Sequence, residues 1–366
     1  MPTLGGINIP RYHSAVGSAP LRDYGLVEFA SDDPVTLKTL NEAIIECATS
    51  PNEDNALALR YDNQQMLLKL MSKLQRTIEK RNAHNVQCRI SYDTDQLENE
   101  DASIESHNDG WISLSELFGE VGGRSVSDYI LYRLFTTYLQ PIVLPSGKAV
   151  GYEFLLRPLP EQSPFRPAEL FEEARRIGQH SYLDRAARHS AIQMGASHLP
   201  SGMKRFVNFL PSSLHQPKTC LKSTFETIRQ SGTDPRDYVF EVMETEPLDD
   251  PRLQNVFEVY RQEGVHLALD DVGSGFATLD IVDELRPDYV KMDRRWVSSC
   301  EGDPQKQRYI DRLLERVSRF HGVVLAEGVE RQEEWDYLKN AGVPLFQGYL
   351  FGRATPIPTE IPVEAR

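Results

Sequence analysis

The chain has 366 residues, 40% of them hydrophobic and 26% charged, which is an ordinary balance for a soluble protein with a sizeable core. A formal net charge of −14 argues against broad electrostatic binding to nucleic acid, so we expect no DNA partner. No stretch approaches the roughly 18 apolar residues of a membrane span, and residues 1–17 lack the pattern of a secretory signal. We therefore expect a cytoplasmic protein. Its four cysteines lie far apart and form no CxxC pair, which predicts reduced structural thiols.

A chain of this length favours two domains. The N-terminal part, residues 1–122, is predicted to be a small α/β module of unknown role, serving regulation, dimerisation or the binding of a protein partner. Residues 1–30 are weakly patterned and predict a loosely packed lead-in. Residues 93–110 carry a run of acidic residues without Lys or Arg, which is typical of a solvated linker.

One helix stands out in this module. Gln64 to Lys80 places apolar residues at helical spacing, and the stripe indicates either core or a dimer seam. Its members are Met66, Leu67, Leu70, Met71, Leu74 and Ile78.

From residue 123 onward, eight predicted strands alternate with helices. The strands are Tyr138–Val143, Val150–Leu156, Arg205–Leu210, Tyr238–Met243, Val265–Leu269, Asp288–Met292, Val323–Ala326 and Leu345–Gly348. This number and spacing predict an α/β fold with a (β/α)8 TIM-type barrel over residues 123–366. An open, doubly wound sheet is the alternative, but no glycine-rich phosphate fingerprint follows an early strand.

Polar side chains stand at seven consecutive strand ends of this predicted barrel. They are Glu153, Asn208, Glu241 with Glu244, Asp270 with Asp271, Lys291, Glu327 and Gln347. A single strand-end acid is more often a helix cap or a surface ion pair. Seven such ends converge on one mouth, where barrel enzymes keep their chemistry.

The types of these residues indicate which ligand the predicted mouth could bind. Carboxylates and an amide without His or Cys are hard oxygen donors suited to Mg²⁺ or Mn²⁺. Their number makes two ions plausible, a pair that can clamp both oxygens of a phosphoryl centre. Lys291 can then contact the attacking water or the developing charge. Its alternative role is that of a buried ion-pair partner for Asp271 or Asp293.

Eight stretches of residues 125–358 resemble one known family. In order, TTYLQPIV, EFLLR, VNFLPSSL, FEVMETE, LDDVGSGFATL, DYVKMD, LAEGVE and QGYLFGR are similar to the motifs of EAL-domain cyclic di-GMP phosphodiesterases. The resemblance implies metal-dependent hydrolysis of cyclic di-GMP to linear pGpG, with Mg²⁺ or Mn²⁺ as cofactor. A homodimer is expected as well.

The resemblance also implies a role for each residue. The metal ligands would be Glu153, Asn208, Glu241, Asp270, Asp271 and Glu327. The catalytic residues would be Lys291, Glu327 and Glu153. Substrate contacts would come from Gln140, Leu155, Arg157 and Gln347, and Glu244 would anchor the glycine loop that follows Asp271.

Five positions depart from the family pattern; three of them, Val272, Ser274 and Phe276 in the glycine loop, are mild changes. Phe154 replaces the alanine of the name-giving motif, and Pro158 stands where an aromatic residue is usual. Because neighbouring side chains of a strand point to opposite faces, we expect Phe154 to pack outside the mouth against a helix. These departures leave open a catalytically weak or inactive receptor that signals through the N-terminal module, or a protein-interaction scaffold.

Overall fold

A small antiparallel sheet forms the centre of the N-terminal module. The structure is a computed structural model that describes residues 19–48, 57–92, 110–162, 164–213, 217–243, 248, 251–274 and 277–358. The strands are β1 (Gly25–Ala30), β2 (Ala58–Tyr61), β3 (Gln87–Ser91) and β4 (Ile112–Ser113). Their order across the sheet is β2-β1-β3-β4. The predicted acidic linker lies outside the described residues, apart from its last residue.

Three helices belong to the same module, α1 (Pro34–Cys47), α2 (Gln64–Thr77) and α3 (Lys80–Ala83). Asp33 caps α1 by accepting a hydrogen bond from the backbone N–H of Thr36, and Asn63 caps α2 in the same way. All six apolar residues of the predicted stripe are buried within this chain, at 7% exposure or less. The stripe is therefore core, and the prediction of a dimer seam there was wrong.

The prediction of a loose lead-in over residues 1–30 was wrong for its last part. Residues Gly25–Ala30 form the central strand β1, and the chain before it is held by Leu21, whose backbone N–H donates to Gly178. Leu21 is itself buried. Residues 1–18 lie outside the described part of the chain.

A short hairpin and a helix link this module to the second half of the chain. They are β5 (Glu120–Val121), β6 (Arg124–Ser125) and α4 (Val126–Leu131). The hydroxyl of Ser72 on α2 donates to Asp128 on α4, so the link packs on the N-terminal module. The boundary between residues 122 and 123 stays a prediction.

Eight strands then close into a barrel, as predicted. They are β7 (Phe135–Val143), β8 (Ala149–Pro158), β9 (Lys204–Phe209), β10 (Tyr238–Val242), β11 (His266–Val272), β12 (Tyr289–Met292), β13 (Val323–Ala326) and β14 (Leu345–Gln347). Around the barrel the order is β10-β11-β12-β13-β14-β7-β8-β9. Helices surround it: α5 (Pro167–Arg176), α6 (His180–His198), α7 (Pro217–Gln230), α8 (Pro251–Gln262), α9 (Leu279–Leu285), α10 (Arg294–Val297), α11 (Pro304–Ser318) and α12 (Gln332–Asn340).

The first barrel strand runs against the other seven. β7 pairs antiparallel with both β8 and β14, whereas the remaining neighbours pair in parallel. Only residues 144–148 separate β7 from β8, a length that permits a hairpin but no helical crossover. The barrel therefore differs from a regular (β/α)8 barrel in the direction of this strand.

Inward-pointing apolar side chains fill the barrel below its mouth. Ile142, Phe206, Val239, Ala268, Leu325 and Leu345 pack together there, one from each of six strands. We call these residues the barrel floor. A floor of packed side chains closes the interior, so ligands can approach only from the mouth.

Candidate active site

Five of the predicted strand-end residues lie two positions beyond a residue of the barrel floor. Asn208 follows Phe206, Glu241 follows Val239, and Asp270 follows Ala268 by two residues. Because strand side chains alternate, residues two apart share a face, so the polar groups point into the mouth directly above the floor. Glu327 and Gln347 follow Leu325 and Leu345 in the same way.

Gln140 reaches this level from the opposite direction. Since β7 runs antiparallel, Gln140 precedes the floor residue Ile142 by two positions, and it pairs in register with Glu153. Its side chain donates from Nε2 to the carbonyl of Gly352 at 3.3 Å. Leu155 and Arg157 alternate onto the same face of β8 as Glu153 and are half-buried.

Lys291 lies at the centre of the mouth. Its Nζ is 2.8 Å from one carboxylate oxygen each of Glu241, Asp270 and Glu327, and 3.5 Å from Glu153 Oε1. The side chain is 1% exposed. Burial alone would lower the pKa of Lys291, but these carboxylates together raise it well above its ordinary value, so the ammonium form is held.

This geometry corrects the alternative role considered for Lys291. Its partners are neither Asp271 nor Asp293. The carboxylate of Asp293 instead accepts from the backbone N–H of Arg295 and caps α10. Lys291 is thus an ion-pair partner, but of the predicted metal ligands themselves.

Asp270 and Asp271 are adjacent in sequence, yet both reach the mouth. A regular strand would send them to opposite faces. The pairing of β11 with β12 shifts register between Leu269 and Val272, and Asp271 has a left-handed φ of 46°. This bulge turns the second carboxylate toward the first, as bulges beside active sites do.

The bulge creates a cluster of three acids. One carboxylate oxygen each of Asp270, Asp271 and Glu327 lies within 4.8 Å of the others. Burial, and next the charge of Asp270, raises the pKa of Asp271 to about 6. Burial likewise raises the pKa of Glu327 well above its ordinary value. The site holds more negative charge than Lys291 neutralises.

Two amides complete the wall on the other side. Gln347 Nε2 donates to Glu153 Oε2 at 2.7 Å, and Asn208 Nδ2 lies 3.5 Å from Glu153 Oε1. Glu241 is fully buried, and its Oε2 has no hydrogen-bond partner among the residues that the structure describes. A buried, unpartnered carboxylate oxygen costs free energy unless a cation meets it.

The donor set therefore fits divalent cations. Carboxylate and amide oxygens converge in one buried pocket without His or Cys, as hard metal ions require. The orphaned oxygen of Glu241 and the excess of carboxylates over ammonium groups both call for positive charge. Asp270, Asp271 and Glu327 are close enough together to hold a cation between them.

Two further predictions concern Glu244 and Phe154. Glu244 is outside the described residues, so its role as a loop anchor stays a prediction. Phe154 is buried outside the mouth and faces α6, because a Cβ placed on Gly195 would lie 3.0 Å from its ring. That confirms the expected packing of Phe154 against a helix.

Trp296 was not among the predicted site residues, although its indole reaches the backbone just after Asp271. Its signal was its place in KMDRRW, immediately after the strand that carries Lys291.

None of the described helices is both long and apolar enough to cross a membrane. Among curated relatives, the probable cyclic di-GMP phosphodiesterase PdeG of Escherichia coli is 31% identical over 226 residues, covering 58% of this chain and 43% of the relative. Cyclic di-GMP phosphodiesterase PdeL of the same organism is 29% identical over 136 residues, covering 37% and 38%. The chain thus spans less than half the length of these relatives.

Solved structures resemble the barrel. BlrP1 of Klebsiella pneumoniae, in a complex with calcium and cyclic di-GMP, has a TM-score of 0.57 at 29% identity, covering 62% of this chain and 58% of that one. A standalone EAL protein of Vibrio cholerae with bound c-di-GMP has a TM-score of 0.57 at 30% identity, covering 63% and 96%. The sequence model of the EAL domain matches residues 124–354. This chain belongs to the EAL domain family.

Proposed function

We propose that the protein is a metal-dependent phosphodiesterase that hydrolyses cyclic di-GMP to linear pGpG. The observation that carries the proposal is the buried ring of carboxylates around Lys291, which is formed by Glu153, Glu241, Asp270 and Glu327, four of the six predicted metal ligands. The relatives PdeG and PdeL bear the name of this activity, and BlrP1 has been solved with cyclic di-GMP and with calcium or manganese.

Divalent cations, two of them in this proposal and either Mg²⁺ or Mn²⁺, supply Lewis acidity and positive charge at the phosphodiester when they are bound. Asp270, Asp271 and Glu327 would hold one cation. Glu153, Asn208 and Glu241 would hold the other. The barrel floor excludes water from below, which strengthens the attraction between these carboxylates and a bound cation.

Lys291 and Glu327 are the residues that would contact the attacking water. The three short contacts of Lys291 use all three of its N–H groups. When one carboxylate turns toward a cation, an N–H becomes available to orient the attacking water. Glu327 borders the same space and can accept a hydrogen bond from that water, which sets the direction of attack.

We assign the substrate contacts mainly to the part of the β7–β8 hairpin that lies furthest from the barrel floor. Leu155 and Arg157 lie on the face of Glu153, further from the floor, where the nucleotide would enter. Gln140 and Gln347 flank Glu153, and Gln347 fixes its orientation. We assign Arg157 to a phosphate or guanine of the dinucleotide, since its guanidinium is a planar donor.

The test is a direct assay. Full-length protein is incubated with cyclic di-GMP and Mg²⁺, or Mn²⁺, and the product is identified by chromatography. We expect pGpG, loss of activity with a chelator, and recovery on adding the metal. Asp270→Asn, a change of equal size, should lower turnover by about 100-fold or more because it weakens a ligand. Absence of product with both ions would refute the proposal.

A nucleotide receptor is the second candidate. It is favoured by the hydrogen bonds that join residues 21–23 to α6 of the barrel, which give a bound ligand a route to the N-terminal module. Tight binding of cyclic di-GMP without turnover in the same assay would favour the receptor. Rapid turnover would exclude it as the main role. A homodimer, also part of our proposal, is tested by light scattering.

A further inference from the structure

The backbone that follows Asp271 is covered by two stacked aromatic rings. Trp296 on α10 and Tyr309 on α11 stack with their ring centroids 3.7 Å apart and an interplanar angle of 9°. The indole Nε1 of Trp296 donates to the carbonyl of Gly273 at 3.4 Å. We call Trp296 and Tyr309 the aromatic clamp.

The clamp fits against Gly273 so closely that no side chain could replace its hydrogen. A Cβ at Gly273 would lie 2.2 Å from the Trp296 Nε1 and 2.4 Å from the Tyr309 hydroxyl. Gly273 also has a φ of 94°, which residues with a side chain rarely adopt. Both rings are therefore in direct contact with the backbone of Gly273, so a shift of this backbone would displace them.

Gly273 is two residues from the bulge that makes the acid cluster. Asp271 is held in its left-handed conformation by a turn in which Ser274 N–H donates to the Asp271 carbonyl at 3.0 Å. Val272 between them is fully buried, and its carbonyl accepts from Asp293 N–H. A residue with a side chain adopts this conformation only at a cost in free energy, so contacts beyond the turn must hold it.

A second contact binds the same turn to the same helix. The guanidinium of Arg295, next to Trp296, donates to the Ser274 hydroxyl. Helix α10 begins directly after β12, the strand that carries Lys291. The continuous segment of β12 and α10 thus carries Lys291 and also contacts the turn after Asp271.

We propose that Trp296 is a positioning residue that holds Asp271 in its metal-binding orientation through the Gly273 carbonyl. This inference rests on the proposed function, because the metal ion that Asp271 would bind is part of that proposal. By acting on the orientation of a ligand, Trp296 would set the metal concentration at which the site fills, as outer partners of metal ligands do.

The first experiment needs no substrate. Trp111→Phe and Trp335→Phe together leave Trp296 as the sole tryptophan of the chain. Titrating this variant with Mg²⁺ should change the Trp296 emission to saturation. Asp271→Asn, added to it, should abolish the change, because asparagine tolerates the left-handed conformation but is a weaker ligand. An emission that does not respond to Mg²⁺ overturns the proposal, whether or not the wild type hydrolyses cyclic di-GMP.

The second experiment uses turnover. Trp296→Phe keeps an aromatic ring but removes the N–H donor, and it should raise the Mg²⁺ concentration for half-maximal activity about tenfold, without an equal change in the substrate KM. Trp335→Phe is the matched control, since Trp335 is buried and its Nε1 has no partner among the described residues. An unchanged Mg²⁺ dependence in Trp296→Phe contradicts the proposal. A saturable emission change without any turnover supports the clamp and refutes the proposed hydrolase.

Discussion

At the level of single residues, the mouth of the barrel brings several buried carboxylates around a single lysine. Burial is the main cause that raises the pKa of Glu241 and Glu327, and neighbouring acids raise it further. Lys291 opposes both effects by donating to these carboxylates. A buried cation of this kind stabilises the folded state chiefly because its absence leaves buried charges unpaired.

Lys291→Met tests this balance. The change should abolish turnover and lower the free energy of unfolding by about 3–5 kcal/mol in metal-free buffer, because several buried carboxylates lose their partner. Mg²⁺ or Mn²⁺ should then raise the Tm of the variant more than that of the wild type, since the metal replaces the missing positive charge. Thermal unfolding with and without metal measures the difference.

The control for this experiment is Lys339→Met on α12, which removes a lysine paired with Asp336 near the surface. Its metal-dependent rise in Tm should equal that of the wild type. An equal rise in all three proteins would contradict the role given to Lys291.

At the level of elements, the departure at Phe154 concerns packing. The ring lies in the apolar layer between β8 and α6, and Gly195 leaves room for it. The glycine and the phenylalanine therefore compensate each other in volume. Restoring the usual alanine of the motif would leave a cavity in this layer.

Phe154→Ala should therefore destabilise the protein by about 3–5 kcal/mol, even though it recreates the name-giving motif. Activity per folded molecule should stay close to that of the wild type, because Phe154 points away from Glu153. Denaturant unfolding and kcat at 25 °C check the two parts. Phe154→Leu should recover more than half of the loss, whereas a large fall in kcat with unchanged stability would contradict this account.

Helix α6 also carries a half-buried histidine, His189. Burial, and then the charges of Arg188, Arg133 and Arg185, lower the pKa of His189 to about 4. The unfolded chain would bind a proton near pH 6.5, so between pH 6.5 and 4 only the unfolded state takes it up. His189 therefore makes the fold less stable as the pH falls through this range.

His189→Gln should remove that contribution. Its free energy of unfolding should fall less steeply from pH 7 to 4 than that of the wild type, by at most about 3 kcal/mol over the range. Urea unfolding at several pH values measures the slopes. His198→Gln, an exposed residue of the same helix, serves as control. Parallel slopes for wild type and His189→Gln would refute the prediction.

Much of the barrel and its site could be predicted because both depend on local pattern. The eight strands and the polar residues at their ends follow from hydrophobic runs and from the geometry of parallel strands. The direction of β7 was missed, although the five residues from Leu144 to Lys148 are too few for a crossover. That loop length was the available signal.

Other features depend on contacts between distant residues. The bulge at Asp271 forms against β12 and is fixed by α10, so no property of LDDVG alone determines it. The apolar stripe of α2 looked equally suited to core and to a dimer seam, because burial is decided by the partner that covers it. Strand β1 was missed because GLVEFA is short and its partners, β2 and β3, lie far along the chain.

For the whole molecule, the most important feature is a shared core. The apolar cluster that contains β1 and α2 continues through α4 into α5 and α6 of the barrel half. Leu170, Tyr182 and Leu183 are fully buried within it. The segment before β1 adds polar contacts, since Arg185 donates to both carboxylate oxygens of Asp23 and Ser181 donates to the Leu21 carbonyl.

Because of this core, we expect the barrel to depend on the N-terminal module for its stability, although the family match begins at residue 124. A fragment of residues 125–366 would expose the apolar face of α5 and α6 that the module covers. Such a large exposed apolar patch favours association in water. We therefore expect the fragment to have a lower Tm than the full chain and to form aggregates on size-exclusion chromatography.

The same fragment separates stability from catalysis. Its proposed metal ligands all lie beyond residue 150, so whatever fraction stays monomeric and folded should keep its divalent-metal dependence. Asp23→Ala in the full chain is a milder variant, because it removes the ion pair with Arg185 but leaves the apolar contacts of the module in place. We expect its free energy of unfolding to fall by about 1 kcal/mol and its Tm by only a few degrees. A fragment as stable and monomeric as the full chain would show that the barrel folds independently of the module, and the shared core would then be a contact surface between two autonomous units.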